Sequence, residues 1–190
     1  GINLIISDAD HPLLIKVASI QSARIQIYFI DNDVYFHRRK GVVDANGKEY
    51  KDNDERCIFF ARGTLETMKK LRWTPDVIYC SGWMSALVGL YAKKAYSDTP
   101  FFESSKFVDK LLIDGMLHSD VRSIEGLPVG YEDLMRLAID NADALVMSSP
   151  TVNQRLSNYA QNSGKIVLPY SEETYKDDLM ELCNSLLSQE

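Results

Sequence analysis

The chain has 190 residues, 45% hydrophobic and 25% charged, a balance that can bury a real core and most simply makes one domain, residues 1–190. Its 21 basic residues stand against 27 acidic ones, a formal net charge of −6; with no basic stripe, this argues against nucleic acid and anionic membranes as partners. Cys57, Cys80 and Cys183 form no CxxC or Cys/His cluster, so neither a zinc site nor a disulfide framework is suggested, and a reducing cytoplasm is the expected location. No apolar run approaches the roughly 20 residues that cross a bilayer. The opening GINLIISDADHP lacks the basic start and long apolar stretch of a signal peptide.

Residues 2–6 (INLII), 13–19 (LLIKVAS) and 24–30 (RIQIYFI) are short, rich in β-branched residues and bounded by turn formers, so they read as strands, the third a buried one. Asn46-Gly47 between VVD and KEY predicts a two-residue hairpin turn within residues 42–50. From Asp54 to Leu71 the period changes: Ile58, Ala61, Leu65, Met68 and Leu71 recur three or four apart, which predicts a helix. Asp52 or Asn53 can cap its start, and Lys69, Lys70 and Arg72 suit the negative end of its dipole. Then come strand 76–80, helix 83–96, helix 131–141, strand 144–148, helix 151–162, strand 165–168 and helix 172–188. This alternation predicts an α/β fold: a Rossmann-like parallel sheet with helices on both faces. Residues 97–130, with Pro100, Gly115, Gly126, Pro128 and Gly130, read as irregular, a long stretch for a compact domain.

Three Asp-x-Asp triplets (Asp8 and Asp10, Asp31 and Asp33, Asp52 and Asp54) could share a divalent ion with a nucleotide diphosphate. The stronger reading is capping, because each triplet adjoins an element end, where Asp side chains bond nearby amides. His11, His37 and His118 share no metal-binding spacing and pair with no visible nucleophile. There is no GxGxxG or GxxxxGK[ST] loop. The residues alone therefore lead to one candidate cleft, at the C-terminal ends of the parallel strands, where open α/β sheets bind ligands.

The run YKDNDERCIFFARGTLETMKKLRWTPDVIYCSGWMSALVGLYAKKAY resembles a stretch of the ADP-glucose-type glycogen and starch synthases, in family form DN-x-x-RF…W-x-PD-[IV]-[IV]-H-x-H-[DG]-W-x-[TS]-x-L. Asp52, Asn53 and Arg56 match its first part, Trp73, Pro75 and Asp76 its middle, and Gly82, Trp83, Ser85 and Leu87 its end. YFIDNDVYFHRRKGVV resembles the preceding strand and loop, and ADALVMSSPTVNQRL a later strand–helix unit, so the resemblance covers most of the chain. It implies the N-terminal half of a two-domain GT-B glycosyltransferase. The family transfers glucose from ADP-glucose to an α-1,4-glucan with retention, and needs no metal; no cofactor is expected.

The departures from the family pattern are as informative as the matches. Tyr79 and Ser81 stand where the two family histidines are expected, and a serine hydroxyl cannot take over an imidazole's protonation. The family's first strand, its Lys-x-Gly-Gly loop and its C-terminal nucleotide-binding domain are not found within residues 1–190. The resemblance therefore implies an α-glucan or ADP-glucose as ligand, with Asp52, Asn53, Arg56, Tyr79, Ser81, Gly82 and Trp83 as candidate substrate-binding residues, but a chain not competent for transfer by itself. The alternatives are a non-enzymatic glucan-binding or regulatory module, or an unrelated Rossmann-like domain. Each residue also has a plainer reading: Ser81 as a helix cap, Trp83 as a packing anchor, and Asp52, Asn53 and Arg56 as a cap and a surface ion pair.

Overall fold

The computed structural model describes residues 2–97, 100–111, 121–124, 127–129, 131–147, 154–169 and 171–189. The chain opens with β1 (Ile2–Ile6), β2 (Ala9–Ile20) and β3 (Ile25–Asp31), an antiparallel sheet in the order β1-β2-β3. Ser7 and Asp8, both at positive φ (51° and 62°), form the two-residue turn of the first hairpin, whose twist matches that of the strands it joins. Strand β3 is not buried as its composition suggests: Ile25, Gln26, Ile27 and Phe29 are exposed. Its Ile30, near the C-terminal end, lies against Gly63 of the helix at residues 53–70, while the exposed residues before it show that apolar content here does not mark a two-sided core strand.

Asn32 then starts α1 (Asp33–Phe36). Its Oδ1 accepts from the amides of Val34 and Tyr35 while its Nδ2 donates to Pro12 O, so one buried side chain caps a helix and ties it to β2. The predicted hairpin of residues 42–50 is a single bridge, Val43 to Glu49. Its wider loop is organised by Asp44, whose Oδ1 accepts from the amides of Asn46 and Lys48. Gly47, at φ 79°, supplies the left-handed residue.

Helix α2 (Asn53–Lys70) is close to the expected span, with acidic residues in its first turn and lysines in its last. It packs between two sheets. A Cβ on Gly63 would lie 2.8 Å from Ile30 Cγ2 and 3.1 Å from Leu13 Cδ1, so glycine allows the helix to approach the antiparallel sheet.

The second sheet contains β4 (Val77–Ser81), β5 (Lys106–Leu111), β8 (Ala144–Met147) and β9 (Ile166–Leu168) in the order β4-β5-β8-β9, every pairing parallel. Strands 76–80, 144–148 and 165–168 are thus members of one parallel sheet, as expected. The strand between the first two of them, β5, falls in the stretch read as irregular. That stretch also holds β6 (Val121–Ile124) and β7 (Leu127–Val129), a separate antiparallel pair.

Helices cover both faces. Ile78, Cys80, Phe107, Leu111 and Leu145 share a core with α2, α4 (Tyr131–Asn141) and α5 (Gln154–Asn162). Val108, Ala144 and Val146 of the opposite face pack on Leu182 and Leu186 of α6 (Tyr175–Leu187). The side chains of β8 are buried on both faces, the signature of an internal parallel strand. The expected helix 83–96 is instead a 3-10 turn (Trp83–Ser85), a short α3 (Val88–Leu90) and a π turn (Tyr91–Ala95). His118 and the Ser-Pro of the later motif lie outside the described residues.

Candidate functional site

Strand β4 ends at Ser81, and Gly82, at φ 81°, turns the chain into the 3-10 segment that starts at Trp83. The positive φ is why this position suits glycine. Gly82 N donates to Lys110 O, which fixes the turn against β5. Ser81 is exposed, and the expected capping role passes to Ser85, whose Oγ donates to the carbonyls of Ser81 and Gly82.

Tyr79 and Ser81, two apart on one strand, lie on the α6 side of the sheet. The hydroxyl of Tyr79 meets that of Tyr175 on α6, and the Lys110 ammonium lies 5.2 Å from the centre of the Tyr175 ring. Burial first, then the Tyr175 hydroxyl, pushes the Tyr79 phenol well above its ordinary value. It stays neutral at physiological pH, so it offers a hydroxyl and no charge.

Asp52, Asn53 and Arg56 form a second group, at the start of α2 on the other face of the sheet. Arg39 Nη1 lies 2.7 Å from Asp52 Oδ1 and 2.8 Å from Oδ2; Asp52 makes no side-chain cap bond. Asn53 is buried, donating to Val42 O and accepting from Arg56 Nη1 at 2.7 Å. Arg56, also buried, donates its Nε to Tyr35 O and has the rings of Phe36 and Tyr50 at 5.4 Å and 5.1 Å. Desolvation lowers its pKa, yet a guanidinium keeps its charge. The Tyr50 ring also carries Arg39, 4.7 Å from its centre. These polar atoms are engaged within the protein, fastening the 35–52 loop to α2. The groups adjoin where Cys57 Sγ lies 3.4 Å from Met84 O, so the start of α2 is held beside the β4 turn.

One residue that the sequence reading passed over is Asp109, in the middle of β5 opposite Cys80. It is buried, and its Oδ1 has no hydrogen-bond partner. Burial raises its carboxyl to about 7, against the opposing pull of the Cys80 thiol and the Lys93 ammonium; the Asp143 charge adds to the rise. Lys93, on the π turn, is 3.5 Å from Asp143 Oδ1. The sign in the sequence is an acid inside the run KFVDKLL. Among the described residues no group of His, Cys, Asp and Glu is arranged to hold a metal ion, and no helix is long and apolar enough to cross a membrane.

A parallel α/β sheet clothed on both faces, with a glycine turn leaving the C-terminal end of its edge strand, defines a Rossmann-like domain with its candidate ligand face at that edge. The sequence family described as the starch synthase catalytic domain matches residues 5–166. The chain belongs to that family.

It is 34% identical over 158 residues to a glycogen synthase of Chlorobium luteolum, covering 72% of this chain and 31% of that protein. It is 31% identical over 164 residues to a glycogen synthase of Chlorobaculum parvum, covering 80% of this chain and 34% of that protein. The chain thus spans about a third of the length of these curated relatives. Its fold is shared with the catalytic domain of starch synthase IV from Arabidopsis thaliana, solved with ADP and acarbose, at a TM-score of 0.63 and 14% identity over 92% of this chain and 40% of that one.

Proposed function

We propose that this chain is the N-terminal half of a glycogen or starch synthase-like cleft, whose family reaction carries glucose from ADP-glucose to an α-1,4-glucan, and that residues 1–190 do not perform the transfer unaided. The observation that carries this reading is the Ser81–Gly82–Trp83 turn at the end of β4. It stands at the ligand edge of the sheet, yet presents a serine hydroxyl and, two residues earlier on the same face of the strand, a phenol joined to α6 where the family pattern has imidazoles. A hydroxyl can bond a sugar oxygen, but it does not exchange a proton near neutral pH as an imidazole does. Glucosyl transfer also needs donor and acceptor held together away from water, and the glucan side alone leaves the donor unplaced.

The test is incorporation of labelled glucose from ADP-glucose into glycogen by the purified chain. None above background is expected, and the Tyr79→His/Ser81→His double variant is expected to remain inactive. Donor-dependent elongation by residues 1–190 would overturn the reading.

The second reading, a non-enzymatic glucan-binding module, is favoured by the internal engagement of Asp52, Asn53 and Arg56. That engagement leaves the exposed Ser81 hydroxyl at the turn, a partner suited to a neutral sugar. An open half-cleft buries little of a glucan, so binding of maltoheptaose is expected at about millimolar strength. In a Trp73→Phe variant the emission comes from Trp83 alone, and a saturable change on adding maltoheptaose supports this reading. The absence of any response up to tens of millimolar removes it.

A further inference from the structure

A cavity of about 410 Å³ lies at the end of the parallel sheet opposite the Ser81–Gly82–Trp83 turn, where Lys106 opens β5 and Asp143 precedes β8. That is a volume suited to a small molecule. The π turn Tyr91–Ala95 forms one wall and brings Lys93 to the cavity; π turns are rare and are found often at functional sites. Among the described residues the charged side chains lining the cavity are Lys93, Lys106, Glu103 and Asp143, two of each sign. Its net charge therefore favours neither an anion nor a cation.

Lys93 is the reactive group of this lining. Its side chain is 33% exposed, so the amine is desolvated and still reachable. Burial pushes its ammonium below the ordinary lysine value; the Lys165 charge acts in the same direction, and the Asp143 and Asp109 carboxylates oppose both. Lys165 is fixed in place by donating to Asp140 O and Ala142 O. Asp143 Oδ1 stands 3.5 Å from Lys93 Nζ, longer than a close ion pair. The other oxygen of that carboxylate accepts from Phe107 N, and Asp143 N donates to Phe107 O, so the acid is clamped beside the amine. Desolvation and a neighbouring cation are the two devices that make a lysine amine a nucleophile toward carbonyl compounds, and a carboxylate within reach carries the proton that such a reaction moves.

We propose that this cavity takes up a small neutral hydroxy-aldehyde or hydroxy-ketone and that Lys93 forms a Schiff base with it, Asp143 carrying the proton. Neutrality follows from the balanced charges of the lining, and the hydroxyl groups from the Ser97 hydroxyl and the Glu103 carboxylate at the exposed rim, which accept from and, for the serine, donate to such groups. In the addition step the amine lone pair forms a C–N bond to the carbonyl carbon as the C=O π pair moves to oxygen. The proton shed by nitrogen passes through Asp143 to that oxygen, giving a carbinolamine. The oxygen then leaves as water while the nitrogen pair closes C=N, so amine and carbonyl yield imine and water with no change of oxidation state. The inference does not rest on the proposed function, which concerns the other end of the strands.

The experiment is reductive trapping on the whole 190-residue chain with glycolaldehyde, the smallest hydroxy-aldehyde, and sodium cyanoborohydride near neutral pH. Chymotrypsin then releases the Ala92–Tyr96 peptide for fragmentation mass spectrometry. That peptide carries Lys93 and the exposed Lys94 side by side, so an amine in the cavity is read against one in water. Lys93 is expected to be labelled roughly tenfold faster than Lys94, and its rate is expected to level off at a lower pH. The Lys93 rate is also expected to saturate at about millimolar aldehyde, while that of Lys94 stays linear. In urea that unfolds the chain, the two are expected to react alike. A Lys93 rate no higher than that of Lys94 in the folded chain overturns the proposal. So does a faster Lys93 rate that stays linear up to about 100 mM aldehyde, which identifies an activated amine without a carbonyl site.

Discussion

Replacing Asp109 by asparagine isolates the energetic consequence of an acid placed in the middle of a parallel sheet. The carboxyl is raised by burial from 3.8 to about 7, so between those values the folded chain holds a proton that the unfolded chain has lost. Where the folded state binds more protons, stability falls as pH rises. This contribution is therefore fully present below about 4, is lost progressively up to about 7 and is flat above. Each pH unit in the window is worth about 1.4 kcal/mol, so raising the pH from 5 to 8 removes about 3 kcal/mol through this group alone. Asp109→Asn has a similar shape and no ionisation. It carries some fixed cost or gain from its amide, but that offset is the same at both pH values. The quantity to measure is the stability of the variant minus that of the wild type, from urea unfolding at pH 5 and at pH 8. The difference should shift in favour of the variant by about 3 kcal/mol between the two. Taking the difference cancels the other titrating groups except those coupled to Asp109, of which Lys93 and Asp143 are the nearest charges. A shift below about 0.5 kcal/mol would refute the reasoning, because it would mean that Asp109 titrates in the folded chain as it does in the unfolded one.

Arg56→Leu strips the buried donor from Asn53 Oδ1 and Tyr35 O and is expected to cost about 3 kcal/mol, seen as a fall in Tm of roughly 6–12 °C by circular dichroism. A surface-like loss of under about 0.5 kcal/mol would show that the cluster does not hold the 35–52 loop. Asn32→Ala loses two cap bonds and the link to Pro12; urea unfolding is expected to show a loss of about 2 kcal/mol. Gly63→Ala favours the helix by about 1 kcal/mol but drives a Cβ to 2.8 Å from the stiff Ile30 side chain, a clash of about 1–3 kcal/mol. The net expectation is destabilisation of about 1 kcal/mol by the same measurement, and a more stable variant would mean that α2 does not press on the antiparallel sheet.

The local alphabet of this chain was enough for elements whose burial and chemistry agree. The three-and-four spacing of Ile58, Ala61 and Leu65 dictates α2, and the ALVM run reads as a strand, so the alternation of the second half already implied the parallel sheet. Strand β5 was illegible for the opposite reason. Its middle residue is an acid and lysines flank its core, a pattern that reads as surface until Cys80 on one side and β8 on the other enclose it. Only the tertiary structure makes Asp109 an interior residue, because the strands beside it and the groups that act on its carboxyl, Cys80 of β4, Lys93 of the π turn and Asp143 just before β8, come from distant parts of the chain.

The candidate site divides in the same way. The break between strand 76–80 and the element starting at residue 83 was readable, and the structure makes Gly82, at φ 81°, the turn between them. The motif residues Asp52, Asn53 and Arg56 were readable as a group but not as a buried one, since the partners that enclose Arg56, Tyr35, Phe36 and Tyr50, belong to a loop whose path no short-range pattern specifies. Tyr79 shows the limit most directly: strand alternation alone puts it on the face of Ser81, but its hydroxyl is met by Tyr175, 96 residues further along the chain. Hydrophobic period and backbone geometry act over a few residues, and they determined which segments are helix or strand. Desolvation and the pairing of polar groups depend on what the fold brings alongside, and they decided which of those residues are buried, engaged or left open to a ligand.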